Sequence, residues 1–183
     1  TMRASGVFAA VSASTLAATR RAMAVARAHG HTIGFDPNLR PTLWPSRAAM
    51  CEAINDLAAH ADWVLPGLEE GRLLTGLDAP EAIARFYRER GAQRVVIKLG
   101  PEGAYYDDTD AGTGFVPAFA VAQVVDTVGA GDGFMVGVTS ALLEGRPIGA
   151  AARRGAWIGA RAVQVRGDTE GLPTRAELQA AGP

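Results

Sequence analysis

Apolar and polar positions follow two periods along this chain, and the switches between them lay out its elements. Residues 7–11 (VFAAV) form a short apolar run after Gly6, read as a buried strand. Residues 12–14 offer N-cap hydroxyls to the alanine-rich stretch that runs to about His29, a strong helix former closed by Gly30. Residues 32–35, ending in Asp36, read as the next strand. Strand, helix, strand in that order is a βαβ unit, which demands a parallel sheet with right-handed crossovers. The alternation continues with a helix over 47–60, a strand over 62–65, and a helix through Leu74. An amphipathic helix over 79–90, with Ile83, Phe86 and Tyr87 apolar, precedes a β-branched strand at 94–99. After a Gly-x-x-Gly connection, residues 104–106 read as a strand and 107–114 as a polar loop or hairpin tip. Residues 115–125 bring the chain back into the sheet. Helices follow over 133–143 and from Pro147 to about Arg166, and Pro173 and Thr174 cap a last one.

Composition narrows the class of function. With 183 residues, 48% of them hydrophobic, the chain is of single-domain size and can bury a core. A net charge of −1 supplies no basic field for nucleic acid or anionic lipid, so small molecules are the expected partners. One cysteine, Cys51, excludes an internal disulfide and a Cys-only metal cluster and fits a reducing compartment. No apolar segment is long enough to span a bilayer and the start lacks a signal-peptide layout, so the expected location is cytoplasmic.

The stretch DTVGAGDGF, residues 126–134, carries the chemistry. Glycines at 129 and 131 permit positive φ, so consecutive N–H groups can point into one concavity where a helix begins. That concavity suits an anion, since a helix N-terminus adds partial positive charge and unpaired donors. Asp132 would repel a resting anion but makes sense as a base, accepting a proton from an alcohol while the amides stabilise the phosphate under attack. A Gly-rich helix cap with an acidic first turn is the plainer account of the same residues.

This stretch resembles the second signature, DTxGAGDxF, of the ribokinase-like, or PfkB-type, carbohydrate kinases, with every defining position present. The resemblance implies a ribokinase-like α/β fold, a mostly parallel sheet flanked by helices. It implies Gly129, Ala130 and Gly131 as the anion hole and Asp132 as catalytic base, with ATP and Mg2+ as cofactors.

Other segments extend the resemblance. The loop DPNLRPTLW, residues 36–44, follows a strand's carboxyl end, where open α/β sheets place ligands. Arg40 there can grip a carboxylate or phosphate with its planar fork, or simply make a surface ion pair. The segment is similar to the DxNxR…LW stretch of the 2-keto-3-deoxygluconate kinase branch, which implies that Arg40 contacts a sugar acid's carboxylate. PGLEE, residues 66–70, resembles the family's PNxxE, which implies that Glu70 helps organise magnesium through water, although Gly67 stands where the Asn belongs. Glu70 reads otherwise as a solvated residue in a helix's first turn. IKLGPEG, residues 97–103, looks like the family's VKxGxxG beside the nucleotide, with Ile97 at the Val position, implying nucleotide contacts for Lys98, Gly100 and Gly103, and the signature adds Thr127, Gly129 and Gly131. Lys98 reads equally as a solvent-side lysine at a strand end. Trp157 stands where the resemblance implies a small or polar residue near adenine, and either stacks on the base, narrows the pocket or simply packs in the core. Residues 167–178 resemble the closing segment, whose carbonyls, with Asp126, imply a monovalent-cation site for K+.

Full-length members are longer, with an N-terminal half that supplies central strands, a first Gly-Gly signature, most sugar contacts and a β lid. Residues 1–183 are therefore expected to be one C-terminal part of such a kinase domain, lacking those strands and the lid. The sheet edge so exposed is expected to pair, as a homo-oligomer or with a partner that supplies the strands. The activity implied is ATP-dependent phosphorylation of a sugar or sugar acid, 2-keto-3-deoxygluconate foremost, to its 6-phosphate. A non-catalytic nucleotide-binding module of the same fold is the alternative. A dinucleotide-dependent oxidoreductase fits poorly, since no G-x-G-x-x-G follows the first strand and no P-loop pattern is present. His29, His31 and His60 lie at helix ends or a strand start, with no nucleophile motif nearby.

Overall fold

The first strand lies one step earlier than the apolar run suggests. In the computed structural model, which describes all residues from Thr1 to Pro183, β1 is Met2–Ser5 and the run VFAAV falls in a short helix, α1 (Gly6–Ala10). Burial explains the difference. Gly6, Ala9 and Ala10 face inward at helical spacing, whereas Phe8 and Val11 are exposed, so the run follows a period of 3.6 rather than 2. Gly6 also has no room for a side chain, because a Cβ there would lie 2.0 Å from the carbonyl oxygen of Pro37.

Beyond this shift the βα alternation holds. Ser12 caps α2 (Ala13–Ala28), its hydroxyl accepting from the Thr15 amide while Thr15 Oγ1 accepts from the Ser12 amide, and Gly30 leaves the helix at φ 69°. Strand β2 (Ile33–Asp36) runs parallel to β1, with Ser5 opposite Asp36. After α3 (Arg47–Ala59), β3 (Trp63–Val64) pairs parallel to β2. Helices α4 (Leu68–Thr75) and α5 (Pro80–Arg88) lead to β4 (Arg94–Lys98), parallel to β3. All of β2 is buried, as expected for a parallel strand covered on both faces. Strands β5 (Gly103–Asp108) and β6 (Gly112–Pro117) follow connections over 99–102 and 109–111, too short for a crossover, so both reverse direction. The hairpin tip is thus shorter than the polar stretch 107–114. The six strands lie in the order β1-β2-β3-β4-β5-β6, and the sheet is mostly parallel with helices flanking it.

By internal contacts the chain forms two compact units, Thr1–Lys98 with Asp107–Gly112, and Leu99–Tyr106 with Thr113–Pro183. Phe35, Ile54, Leu57, Val64, Ile83, Tyr87 and Ile97 fill the core of the first. In the second, α6 (Ala130–Leu143) and α7 (Ile148–Ala162) pack so closely that a Cβ on Gly137 would lie 2.7 Å from the Gly155 Cα. Helix α7 ends at Ala162, short of Arg166, and Thr174 caps α8 (Arg175–Ala181). Residues 119–125 form no strand, contrary to their apolar content: Val124 and Val125 are exposed, and the Val125 amide bonds the carbonyl of Val163 beyond α7. No helix is long and apolar enough to cross a membrane.

Candidate active site

In the first unit, the carboxyl ends of β2, β3 and β4 bring together Asp36, Asn38, Arg40, Gly67, Glu70 and Lys98. Lys98, at the end of β4, places its ammonium 3.0 Å from both carboxylate oxygens of Asp36, at the end of β2. Both are largely buried, and neither reading of Lys98 made from the sequence, facing phosphate or facing solvent, includes this pair. Burial pushes the Asp36 carboxyl above its ordinary range, against the pull of the Lys98 charge and with the Glu70 charge adding to the rise. The chain then turns through Asn38, the one non-glycine residue at positive φ, at 38°. Asparagine tolerates that region better than most side chains. Arg40 is exposed and folds back on its own loop, one guanidinium nitrogen donating to Asn38 Oδ1 and to the Leu39 carbonyl, each at 2.8 Å.

Glu70 sits in the first turn of α4. Its Oε2 accepts from the Gly67 amide at 2.7 Å, the return half of a capping box, and its Oε1 accepts from the Leu39 amide at 2.8 Å. It is half-buried rather than the solvated first-turn residue of the plain reading. Gly67 itself has an ordinary extended backbone, φ −72°, so no conformational demand accounts for the absence of the expected Asn. The far end of the loop, Leu43 and Trp44, walls a cavity of about 470 Å3 with Ala10, Leu16 and Ala53.

In the second unit the signature opens α6. Asp126 Oδ1 accepts from the Val128 amide at 3.0 Å, a local turn that starts the curl, with Thr127 exposed between them. Gly129 is the N-cap at φ 76°, and its missing side chain admits the backbone of Asp168: a Cβ would lie 2.6 Å from that carbonyl oxygen. Gly131, by contrast, is helical and not at positive φ, so only one of the two glycines uses its conformational freedom. The Ala130 amide makes a long bond, 3.4 Å, to the Thr127 carbonyl, and the first bond of the helix runs from the Gly133 amide to the Gly129 carbonyl. The amides of Gly131 and Asp132 meet no acceptor and open the helix as donors. The Asp132 side chain is exposed in the same turn.

Gly100 turns at φ 59° with nothing near its missing side chain. Gly103 has a different reason for being glycine: φ is 119°, and a Cβ would lie 2.0 Å from the Val116 carbonyl oxygen of β6. Trp157 is half-buried with the Arg161 guanidinium over its ring, 5.2 Å from the centroid, and Arg161 in turn bonds Glu177. No three His, Cys, Asp or Glu side chains form a group that could hold a metal ion, so Glu70 and Asp126 can serve a cation only beside water, carbonyl or phosphate oxygens. The contacts of Asp36, Leu39 and Asp168 were not foreseen. The carboxyl ends of neighbouring parallel strands are the one sequence signal that points to the Leu39 contact, whereas Asp36 meets Lys98 across an intervening strand.

Comparison with known proteins bears on the family and the fold. The profile described as pfkB family carbohydrate kinase matches residues 2–175. The 2-dehydro-3-deoxygluconokinase of Bacillus subtilis (strain 168) is 52% identical over 173 residues, 94% of this chain and 53% of that protein. The crystal structure of a PfkB protein from Polaromonas sp. JS666 is 60% identical, with TM-score 0.87 over 97% of this chain and 56% of that one. A double mutant of fructokinase from Vibrio cholerae O395, bound to fructose, ADP and a potassium ion, is 27% identical with TM-score 0.88, over 97% of this chain and 58% of that one. The chain thus spans about half the length of the relatives it matches. With the signature, its helix N-terminus and the fold all in agreement, the chain belongs to the pfkB family of carbohydrate kinases.

Proposed function

We propose that the protein carrying this chain transfers the γ-phosphoryl group of ATP to 2-keto-3-deoxygluconate, giving the 6-phosphate and ADP. The observation that carries this reading is Asp132 in the first turn of α6, next to amide donors that meet no acceptor. Asp132 takes the proton of the attacking hydroxyl as the new O–P bond forms. The bridging bond to the β-phosphate breaks, and its electrons leave with ADP. The amides of the turn that begins at Gly129 stabilise the charge on the phosphoryl oxygens. Lys98, Gly100, Gly103 and Thr127 remain the proposed nucleotide contacts; the charge of Lys98 acts there as part of its pair with Asp36.

The choice of a sugar acid rests on Arg40, whose fork suits a carboxylate, and on the name of the 52% identical relative. Magnesium on the nucleotide would neutralise phosphate charge, with Glu70 ordering one of its waters by the lone pairs its two amide bonds leave over. Asp126 and carbonyls of residues 167–178 would hold potassium.

An ADP-release assay with ATP, magnesium, potassium and 2-keto-3-deoxygluconate, run beside Asp132→Asn, tests the proposal. Turnover should fall by roughly 10²- to 10⁴-fold in the variant, the usual contribution of a positioned base. Equal turnover in the two proteins would remove Asp132 from the mechanism. Silence in both with ATP still bound would leave nucleotide binding as the activity of this chain.

A further inference from the structure

We propose that Glu70 is a positioning residue for the acceptor: through the backbone amide of Leu39 it holds the loop over residues 36–40 in the form that presents Arg40. The inference rests on the reading of Arg40 as the grip on the sugar acid's carboxylate.

The two oxygens of Glu70 are committed to two different loops, Oε2 to the Gly67 amide after β3 and Oε1 to the Leu39 amide after β2. One carboxylate therefore ties together the carboxyl-end loops of neighbouring parallel strands. Helix capping needs only the Gly67 bond; the Leu39 bond, 31 residues away in sequence, adds nothing to α4 and acts on the loop. Leu39 is held at both ends, its amide by Glu70 and its carbonyl by the Arg40 guanidinium. Asn38, which supplies the other acceptor for Arg40, sits at φ 38°, so the backbone at that point is in a conformation it would readily leave. At the loop's start Asp36 is fixed by Lys98 and accepts from the Asn38 amide at 3.3 Å. The loop thus has an ionic anchor at Asp36 and a main-chain anchor at Leu39, and Arg40 follows the second directly. Losing the Glu70 carboxylate should free Asn38 and Leu39 and let Arg40 sample many poses, which weakens a carboxylate ligand more than a nucleotide.

The test compares the intact protein with Glu70→Ala and Glu70→Asp. The shorter acid can still cap α4 but does not reach Leu39. Hydrogen exchange across residues 36–44 is measured first. Both variants should exchange about tenfold faster at Leu39, the equivalent of one net hydrogen bond, with the core strands unchanged. Unchanged exchange at Leu39 overturns the clamp whatever the substrate is. Calorimetric titration with 2-keto-3-deoxygluconate, in the absence of nucleotide and magnesium, follows, and the same variants should bind it roughly five- to tenfold more weakly. Unmoved sugar-acid affinity, with only the magnesium dependence of ATP binding shifted, overturns the positioning role and leaves Glu70 a metal role alone. In an Arg40→Ala background the Glu70 variants should cause no further loss; a full additive loss there overturns the link to Arg40. If Arg40→Ala alone binds the sugar acid as the wild type does, the substrate reading fails instead, and exchange still decides the clamp.

Discussion

Lys98 places its ammonium 3.0 Å from each oxygen of Asp36, joining the ends of β4 and β2, which are not neighbours in the sheet. Removing one partner of such a pair leaves a buried charge uncompensated, a loss of about 3–5 kcal/mol in fully buried cases. Lys98 is 17% exposed, so Lys98→Met should cost roughly 2–3 kcal/mol in urea unfolding at pH 7. The sign of the pH dependence follows from Asp36, whose folded-state pKa is raised. A raised carboxyl binds its proton more tightly when folded, so its contribution is present below the unfolded value of 3.8 and is lost as pH rises through the folded one. The deficit of Lys98→Met should therefore shrink on acidification, and Lys98→Met/Asp36→Asn should recover much of it at pH 7. A deficit independent of pH would show that the lysine acts through packing alone.

Gly129 and Gly131 predict opposite outcomes for the same substitution. Gly129 combines φ 76° with a Cβ position 2.6 Å from the Asp168 carbonyl oxygen. The left-handed backbone alone costs a side chain about 1–2 kcal/mol, and the contact forces the loop at Asp168 to move, so Gly129→Ala should lose more than about 2 kcal/mol. Gly131 lies within α6 without positive φ, where Gly→Ala ordinarily gains about 0.5–1 kcal/mol. Its cost should fall on nucleotide affinity, because a methyl group crowds the approach to its unpaired amide. Thermal unfolding and ATP titration of the two variants check this directly. Equal destabilisation by both would contradict the assignment of the turn to Gly129 alone.

What could be read from the sequence was local. The caps at Ser12 and Thr174, the glycine that ends α2 and the signature that opens α6 are each determined by residues a few positions apart, and the structure places them where the sequence does. The misreadings have tertiary causes. VFAAV is equally apolar as strand or helix, and only the packing of Gly6 against the Pro37 carbonyl and the inward turn of Ala9 and Ala10 decide for helix. Residues 119–125 carry valines in strand-like density, yet the Val125 amide finds the end of α7 instead of a neighbouring strand. Gly103 sits in a family motif, and its own geometry is decided by β6, through a carbonyl 13 residues on. The Lys98–Asp36 pair and the Glu70–Leu39 bond depend on strand order, which no local pattern states.

Asp108 gives the acid limb of stability its direction. Burial raises its pKa, but the amides of Ala111 and Asp110, with Arg94 bonded at 2.6 Å, outweigh that and hold it below the usual value of 3.8. A lowered pKa means the unfolded state binds the proton more readily, so this contribution is full above 3.8 and drains away as pH falls through the lower folded value. Asp108→Asn keeps acceptors for the turn amides but loses the charge facing Arg94. It should lower stability at pH 7 by about 1–2 kcal/mol, the range for a charge-assisted bond. Its unfolding free energy should also fall less steeply than that of the wild type below pH 4. Parallel acid limbs in the two proteins would refute the assignment.

Arg40 separates recognition of a carboxylate by shape from recognition by charge alone. Its guanidinium already donates to Asn38 Oδ1 and the Leu39 carbonyl through one nitrogen, leaving the rest of the fork to reach outward from an exposed position. Lysine keeps the charge but has no planar fork, so it cannot hold the loop and a carboxylate together. On the proposed function, Arg40→Lys should raise KM for 2-keto-3-deoxygluconate by about tenfold or more, with kcat and KM for ATP little changed, since uniform binding is lost rather than a contact confined to the transition state. Arg40→Ala should be worse by a further factor, while phosphorylation of a neutral sugar should respond to neither change. If lysine restores wild-type KM, the site reads charge alone. If neutral and acidic sugars lose equally, Arg40 serves the loop and not the carboxylate.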